Sequence, residues 1–191
     1  KSLYIWNKKM FYSNDQLKKL GFKKIGKNVQ ISNLCRFYKF KGNVGNNTRI
    51  DDYCIFKGNI NIGKNVHISS FCYFAAVESK ISIGDLTGIS NKVSIYGVSD
   101  DFIGNYLTNP TVDKKFRNII KGEVQIGKNV SIGAHVLILP KTKIGDSVSI
   151  GASSIVNRKL KSGYVYVSTN SLKKVIKKDV KSINKKLKSF K

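Results

Sequence analysis

The chain has 191 residues, 41% of them hydrophobic, with 16 Gly against 2 Pro and a formal charge of +24. That composition allows one domain with a sizeable core and excludes collagen-like and low-complexity chains. Arg is scarce and no basic helix carries interleaved aromatics, so the charge reads as lysines on solvent-facing turns and not as nucleic-acid recognition.

In chain order, the opening KSLYIWNKKMFY lacks the apolar stretch of a secretory signal. No later apolar run approaches the ~18 residues that cross a bilayer. A cytoplasmic protein is expected. SNDQLKKL (13–20) followed by Gly21 predicts a Ser- or Asn-capped helical turn with a glycine stop, an N-terminal cap within residues 1–24.

From Ile25 a short phrase recurs: IGKNVQIS, IGKNVHIS, IGKNVSIG, IGDSVSIG. Its apolar anchors count in sixes through Ile25, Ile31 and Phe37, then Val44, Ile50 and Phe56, then Ile62, Ile68 and Phe74. After a three-residue insertion come Ile83, Ile89 and Ile95, and later Ile126, Ile132, Ile138, Ile144, Ile150 and Val156. A small or β-branched residue stands four positions after most anchors, which suits short strands whose side chains share a narrow interior. Three such strands make a coil of about eighteen residues, and six coils predict a triangular solenoid over 25–160. Cys35, Cys54 and Cys72 occupy one station of successive coils, which predicts a buried stack of small apolar residues and not a nucleophile or metal site.

Ile95 and Ile126 stand 31 positions apart, where six would continue the count, and the stretch between them contains YGVSDDFIGNYLTNPTVDKKFRN. A loop at 96–125 holding Tyr96, Phe102, Tyr106, Leu107 and Phe116 is too apolar for a disordered tail and is expected to fold against something, a neighbouring subunit above all. Its adjacent carboxylates, Asp100 and Asp101, are candidate catalytic groups, or a turn cap. Beyond 160, Leu172, Val175, Ile176, Val180, Ile183, Leu187 and Phe190 recur at helical spacing among nine Lys. An amphipathic C-terminal α-helix within 161–191 is predicted, serving as a cap on the last coil, as a peripheral contact with anionic membrane, or as a holder of anionic ligand groups.

The repeats resemble the hexapeptide-repeat, left-handed β-helix acyltransferases. IGDLTGISNKVSIYGVSDDF and VQIGKNVSIGAHVLILPKTKIGDSVSIGASSIVNRK look like the galactoside/maltose O-acetyltransferase branch, and within it polysaccharide-locus enzymes with an SDDY…LTNPT loop. The resemblance implies a left-handed parallel β-helix, assembly as a homotrimer with sites shared between chains, and acetyl-CoA as acyl donor without a metal. In that branch a loop His, five residues past a coil's last anchor, is the general base, and here that position is Asp100. A carboxylate serves there if desolvation raises its pKa, helped by Asp101 alongside. Otherwise a His from elsewhere is the base: His67, in a phrase where the SDDY group carries His, or His135, which matches a non-catalytic His of the galactoside enzymes. For coenzyme A the matching positions are Ala134, Ala152, Asn157 and Arg158, with Lys174 and Lys177 for its phosphates, although the family's Gly-x-Pro step before that pair is replaced by STNSLKK.

The expected function is acetyl transfer from acetyl-CoA to a sugar hydroxyl, in O-antigen or capsule biosynthesis, on a sugar or a nucleotide- or lipid-linked glycan. The alternatives are N-acetylation of a nucleotide-linked amino sugar, which tolerates a missing loop His because a neutral amine is already nucleophilic, and a non-catalytic β-helix that binds a polyanion or membrane.

Overall fold

The computed structural model describes residues 10–101, 106–168, 172–177 and 181. The chain enters through the helix Asn14–Lys19, closed by a capping box in which Ser13 Oγ accepts from the Gln16 N–H and Gln16 Oε1 accepts from the Ser13 N–H at 2.8 Å. Its one apolar side chain pointing inward, Leu17, plugs the first coil.

From Phe22 onward the chain winds as a parallel β-helix. One face is a ladder of two-residue strands, among them Gln30–Ile31, Arg49–Ile50, His67–Ile68, Gly88–Ile89, Ser131–Ile132 and Ser149–Ile150. The second and third faces are joined in the lower coils, because Arg36–Val44, Ile55–Ile62 and Tyr73–Ile83 each run round a corner. They make it by bulging at Lys39, Gly58 and Glu78, which have φ of 48°, 84° and 59°. The inward residues of each rung stack on those of the next: Ile31, Ile50, Ile68, Ile89, Ile132 and Ile150 are buried in one column. On the second face Phe37, Phe56 and Phe74 stack nearly parallel, with centroids 5.1 and 4.7 Å apart.

The phrase IGKN is legible in this geometry. Successive corners lie so close that a Cβ on Gly45 would sit 2.5 Å from the carbonyl carbon of Gly63. The Asn two positions later takes the left-handed conformation at the corner, φ 54° at Asn28, Asn47, Asn65 and Asn129, which Asn tolerates better than most residues. The cysteines are buried, each thiol donating to a backbone carbonyl one coil on: Cys35 to Asp51 at 3.1 Å, Cys54 to Ser69 at 3.1 Å and Cys72 to Ser90 at 3.2 Å. The Cys35 thiol beside it, together with burial, pushes Cys54 up to about 12, and Cys54 and burial push Cys72 higher still.

Two expectations are corrected. Tyr164–Ser168 pairs parallel with Ser149–Ile150 and adds a seventh rung where six coils were counted, because its apolar residues do not keep the spacing of six. Leu172–Lys177, the start of the expected C-terminal helix, is a strand that turns back antiparallel on Tyr164–Ser168. The open edge of a solenoid offers unpaired backbone groups, and a returning strand covers them as a helix would. Val180, Ile183, Leu187 and Phe190 of the helical pattern lie outside the described residues, and with them the membrane contact expected of that helix.

Candidate active site

The break at Ile95 opens into a neck. Val98–Asp100 pairs antiparallel with Ile119–Lys121, so the loop leaves and re-enters the solenoid as a hairpin at the corner between the second and third faces. The two adjacent carboxylates meet two adjacent residues of the returning chain. Arg117 Nη2 donates to Asp100 Oδ1 at 2.7 Å, and Asn118 Nδ2 donates to Asp101 Oδ2 at 2.9 Å. The first pair is the more enclosed, with side-chain exposures of 12% for Arg117 and 26% for Asp100. Lys121 and Glu78 close the neck from outside. Further out, Tyr106, Leu107 and Phe116 are about half exposed; Phe102 lies outside the described residues.

Against the second face the neck forms a cavity of about 400 Å³, whose lining includes Tyr73, Ala75, Tyr96, Asp100, Pro110 and Arg117. The two tyrosine rings lie 5.5 Å apart, and burial, then the neighbouring Tyr73, pushes the Tyr96 phenol above its usual range. Asp100 therefore faces an aromatic and cationic pocket, and no His lines it.

His67 lies elsewhere, on the first face, where a groove of about 350 Å³ runs across the rungs between His67, Ser69, Gly88, Ser90, Ser131 and Ser149. Gly88 leaves the floor open, since a Cβ there would meet nothing within 4 Å. At one end stands a cluster: His67 Nε2 lies 2.9 Å from Asp51 Oδ2, and Arg49 Nε donates to Asp51 Oδ1 at 2.7 Å. Burial opposes the charge on Asp51, but the hydrogen bonds from His67 and Arg49 outweigh it and hold its carboxyl below the ordinary range. With a carboxylate as acceptor, Nε2 carries the imidazole proton and Nδ1 the lone pair.

The expected catalytic residues thus fall in two places, Asp100 with Asp101 at the neck and His67 on another face. His135 is an exposed corner residue, φ 58°, whose N–H donates to the Asn91 carbonyl at 3.1 Å. Ala134 and Ala152 follow Gly133 and Gly151 at the turn beside the groove, and the Ala134 carbonyl accepts from the Ser153 N–H at 2.8 Å. Asn157 and Arg158 are exposed beyond the sixth rung, and Lys174 and Lys177 lie on the returning strand. Among the described residues no cluster of His, Cys, Asp and Glu could hold a metal ion, and no helix is long and apolar enough to cross a membrane. Arg49 and Asp51 escaped the sequence reading, yet the coil period points to them, since Arg49 is the residue in register beneath His67. Arg117 carried no such signal, because the loop has no period.

Residues 119–158 match the bacterial transferase hexapeptide family (six repeats). AntD, an N-acyltransferase from Bacillus cereus solved with dTDP and 3-hydroxybutyryl-CoA, is 37% identical, with a TM-score of 0.84 over 95% of this chain and 98% of its own. The chain belongs to the hexapeptide-repeat acyltransferases. An Escherichia coli dTDP-4-amino-4,6-dideoxy-D-glucose acyltransferase is 38% identical over 128 residues, 65% of this acyltransferase and 67% of the relative. Galactoside acetyltransferase, solved with coenzyme A, shares the fold at 20% identity and a TM-score of 0.57, over 88% of this chain and 71% of its own. AntD has also been solved as variants at one serine and at one aspartate that its own numbering separates by ten positions, two of the serine variants with dTDP-4-amino-4,6-dideoxyglucose and coenzyme A, and a third with dTDP and coenzyme A.

Proposed function

We propose that this acyltransferase moves an acyl group from acyl-CoA to the amino group of a nucleotide-linked amino sugar, in place of the sugar hydroxyl first expected. The observation that carries the reading is the Asp100 pocket. A carboxylate already ion-paired with Arg117 is a poor base for a hydroxyl but can still accept a hydrogen bond from a neutral amine, which is nucleophilic without prior deprotonation. The relatives at 37% and 38% identity, whose names carry dTDP or a dTDP-linked amino sugar, support the same acceptor. So does a spacing: Ser90 and Asp100 are the one Ser–Asp pair in this sequence with the separation of the two AntD positions.

The acyl donor lies along the first-face groove, where the side-chain-free floor at Gly88 admits a thin pantetheine arm. Ala134 and Ala152 edge it, and Asn157, Arg158, Lys174 and Lys177 stand toward its nucleotide end. Because Ser90 and His67 line one face and Asp100 another, the site is completed by the loop of a neighbouring copy in a homotrimer; the half-exposed Tyr106, Leu107 and Phe116 supply that contact. Asp100 and Ser90 orient the amine. Its lone pair attacks the thioester carbonyl carbon, the C–N bond forms, and the nitrogen's surplus proton passes to His67, held by Asp51. The C–S bond then breaks, and His67 returns that proton to the sulfur, which leaves as the thiol.

The test is thiol release with acetyl-CoA or 3-hydroxybutyryl-CoA and two acceptors, dTDP-4-amino-4,6-dideoxyglucose and its counterpart with a hydroxyl in place of the amine. Release with the amine alone is expected. Release with the hydroxyl alone returns the enzyme to O-acetylation.

A further inference from the structure

The second face carries an outward column that the repeat does not require. In register across four successive rungs stand Tyr38, Lys57, Ala75 and Tyr96. Beside it Tyr73 points outward from the third of these rungs, two residues before Ala75. Lys57 does not extend into solvent as most surface lysines do. Its Nζ is held over two rings, 5.5 Å from the Tyr38 centroid and 5.2 Å from that of Tyr73, within cation–π range. Ala75 then leaves a notch between Lys57 and Tyr96, and the notch is the floor of the Asp100 cavity. Below it a second concavity, lined by Phe37, Tyr38, Lys39, Lys57 and Val77, continues toward the first rung. Arg117 reaches the same cavity with a buried Nε–H that finds no acceptor among the described residues.

This column has the chemistry of a nucleotide site: flat rings at both ends, a positioned cation between them, a second cation with an unspent donor above, and a gap where a side chain would obstruct. Rungs lie ~4.8 Å apart, so the four span ~14 Å along the solenoid, about the reach of an extended nucleoside-diphosphate sugar. We infer that this column, from Tyr96 down to Tyr38, is the subsite for the nucleoside-diphosphate half of the acceptor. The amino sugar sits in the notch over Ala75 beside Asp100, the diphosphate crosses Lys57, and the pyrimidine lies against Tyr38. The inference rests on the amino-sugar reading above and adds the nucleotide's place and direction, with the base toward the N-terminal coils. Coenzyme A is the other nucleotide in the reaction, but the notch opens onto Asp100, not onto the groove at Gly88.

The experiment is calorimetric titration of the full-length protein, at physiological ionic strength, with dTDP and separately with CoA. Wild type, Lys57→Met and Tyr96→Ala are compared, with sedimentation recording the assembly of each. The expected result is a loss of about tenfold or more in dTDP affinity in both variants, the scale of one base–aromatic or cation contact, with CoA affinity and assembly unchanged. If dTDP binds wild type and both variants equally, the column is not the subsite, while the amino-sugar reading stands. Lost CoA affinity in place of dTDP affinity assigns the column to the donor, and a changed assembly makes it a subunit interface; either overturns the inference. Should wild type bind CoA but not dTDP, the acceptor class falls and the inference with it.

Discussion

On the first face the outward positions of successive rungs read Gln30, Arg49, His67, Gly88, Ser131 and Ser149, whereas on the second they read Tyr38, Lys57, Ala75 and Tyr96. Behind both, the inward columns are almost interchangeable, Ile upon Ile on one face and Phe upon Phe on the other. The difference has a physical source. An inward side chain must fill a fixed volume between the rungs above and below, so each coil repeats its neighbour. An outward side chain meets no such demand, and its identity is free to serve a ligand. From Gly88 onward the first face is small and polar, a groove that begins at His67. The second is aromatic and cationic, and the extruded neck roofs it with Asp100 and Arg117.

Substitutions in the two kinds of column should therefore separate stability from chemistry. The largest stability effect is expected from Phe74→Ala, which breaks the aromatic stack in the middle of the solenoid and should cost about 3–5 kcal/mol in denaturant unfolding. His67→Ala should lower kcat by about 100-fold or more while leaving unfolding nearly unchanged, and Asp51→Asn should follow it with a smaller loss, read from thiol release. Asp51→Asn also has a pH signature. The carboxyl is held below its ordinary value in the folded protein, so its stabilisation is present at neutral pH and is lost as pH falls through the lowered value. The gap in unfolding free energy between wild type and Asp51→Asn, about 1 kcal/mol at neutral pH, should close in acid below the ordinary 3.8. A thiol reagent at pH 8 should leave Cys54 and Cys72 unmodified in the folded protein and react only on unfolding, since both thiols are buried and their ionisation is pushed upward. Smallest should be Ser13→Ala, about 0.5 kcal/mol from loss of an exposed capping box.

The inward half of the molecule was legible in the sequence because packing writes it with a period. Ile68 and Cys54 could be placed from counting alone, as could the helical turn at Ser13. The C-terminal segment misled because Leu172, Val175 and Ile176 fit a helical spacing as readily as a short strand, and only the exposed edge beside Tyr164–Ser168 decides between them. The outward half was legible only where a rare residue drew notice, as at His67 and Asp100. Lys57 is one lysine among many until its register between Tyr38 and Ala75 is known. Arg117 is beyond counting, since its partnership with Asp100 spans a loop whose two sides share no repeat.

The most direct test of the account is a single variant, Asp100→Asn, assayed with acyl-CoA and dTDP-4-amino-4,6-dideoxyglucose alongside its melting curve. The account predicts a loss of about 100-fold or more in kcat/KM, the scale of lost positioning, with the melting temperature and CoA affinity of wild type. Near-normal turnover in a folded Asp100→Asn enzyme would contradict it, and the carboxylate at the neck would then be no more than a clasp for the loop.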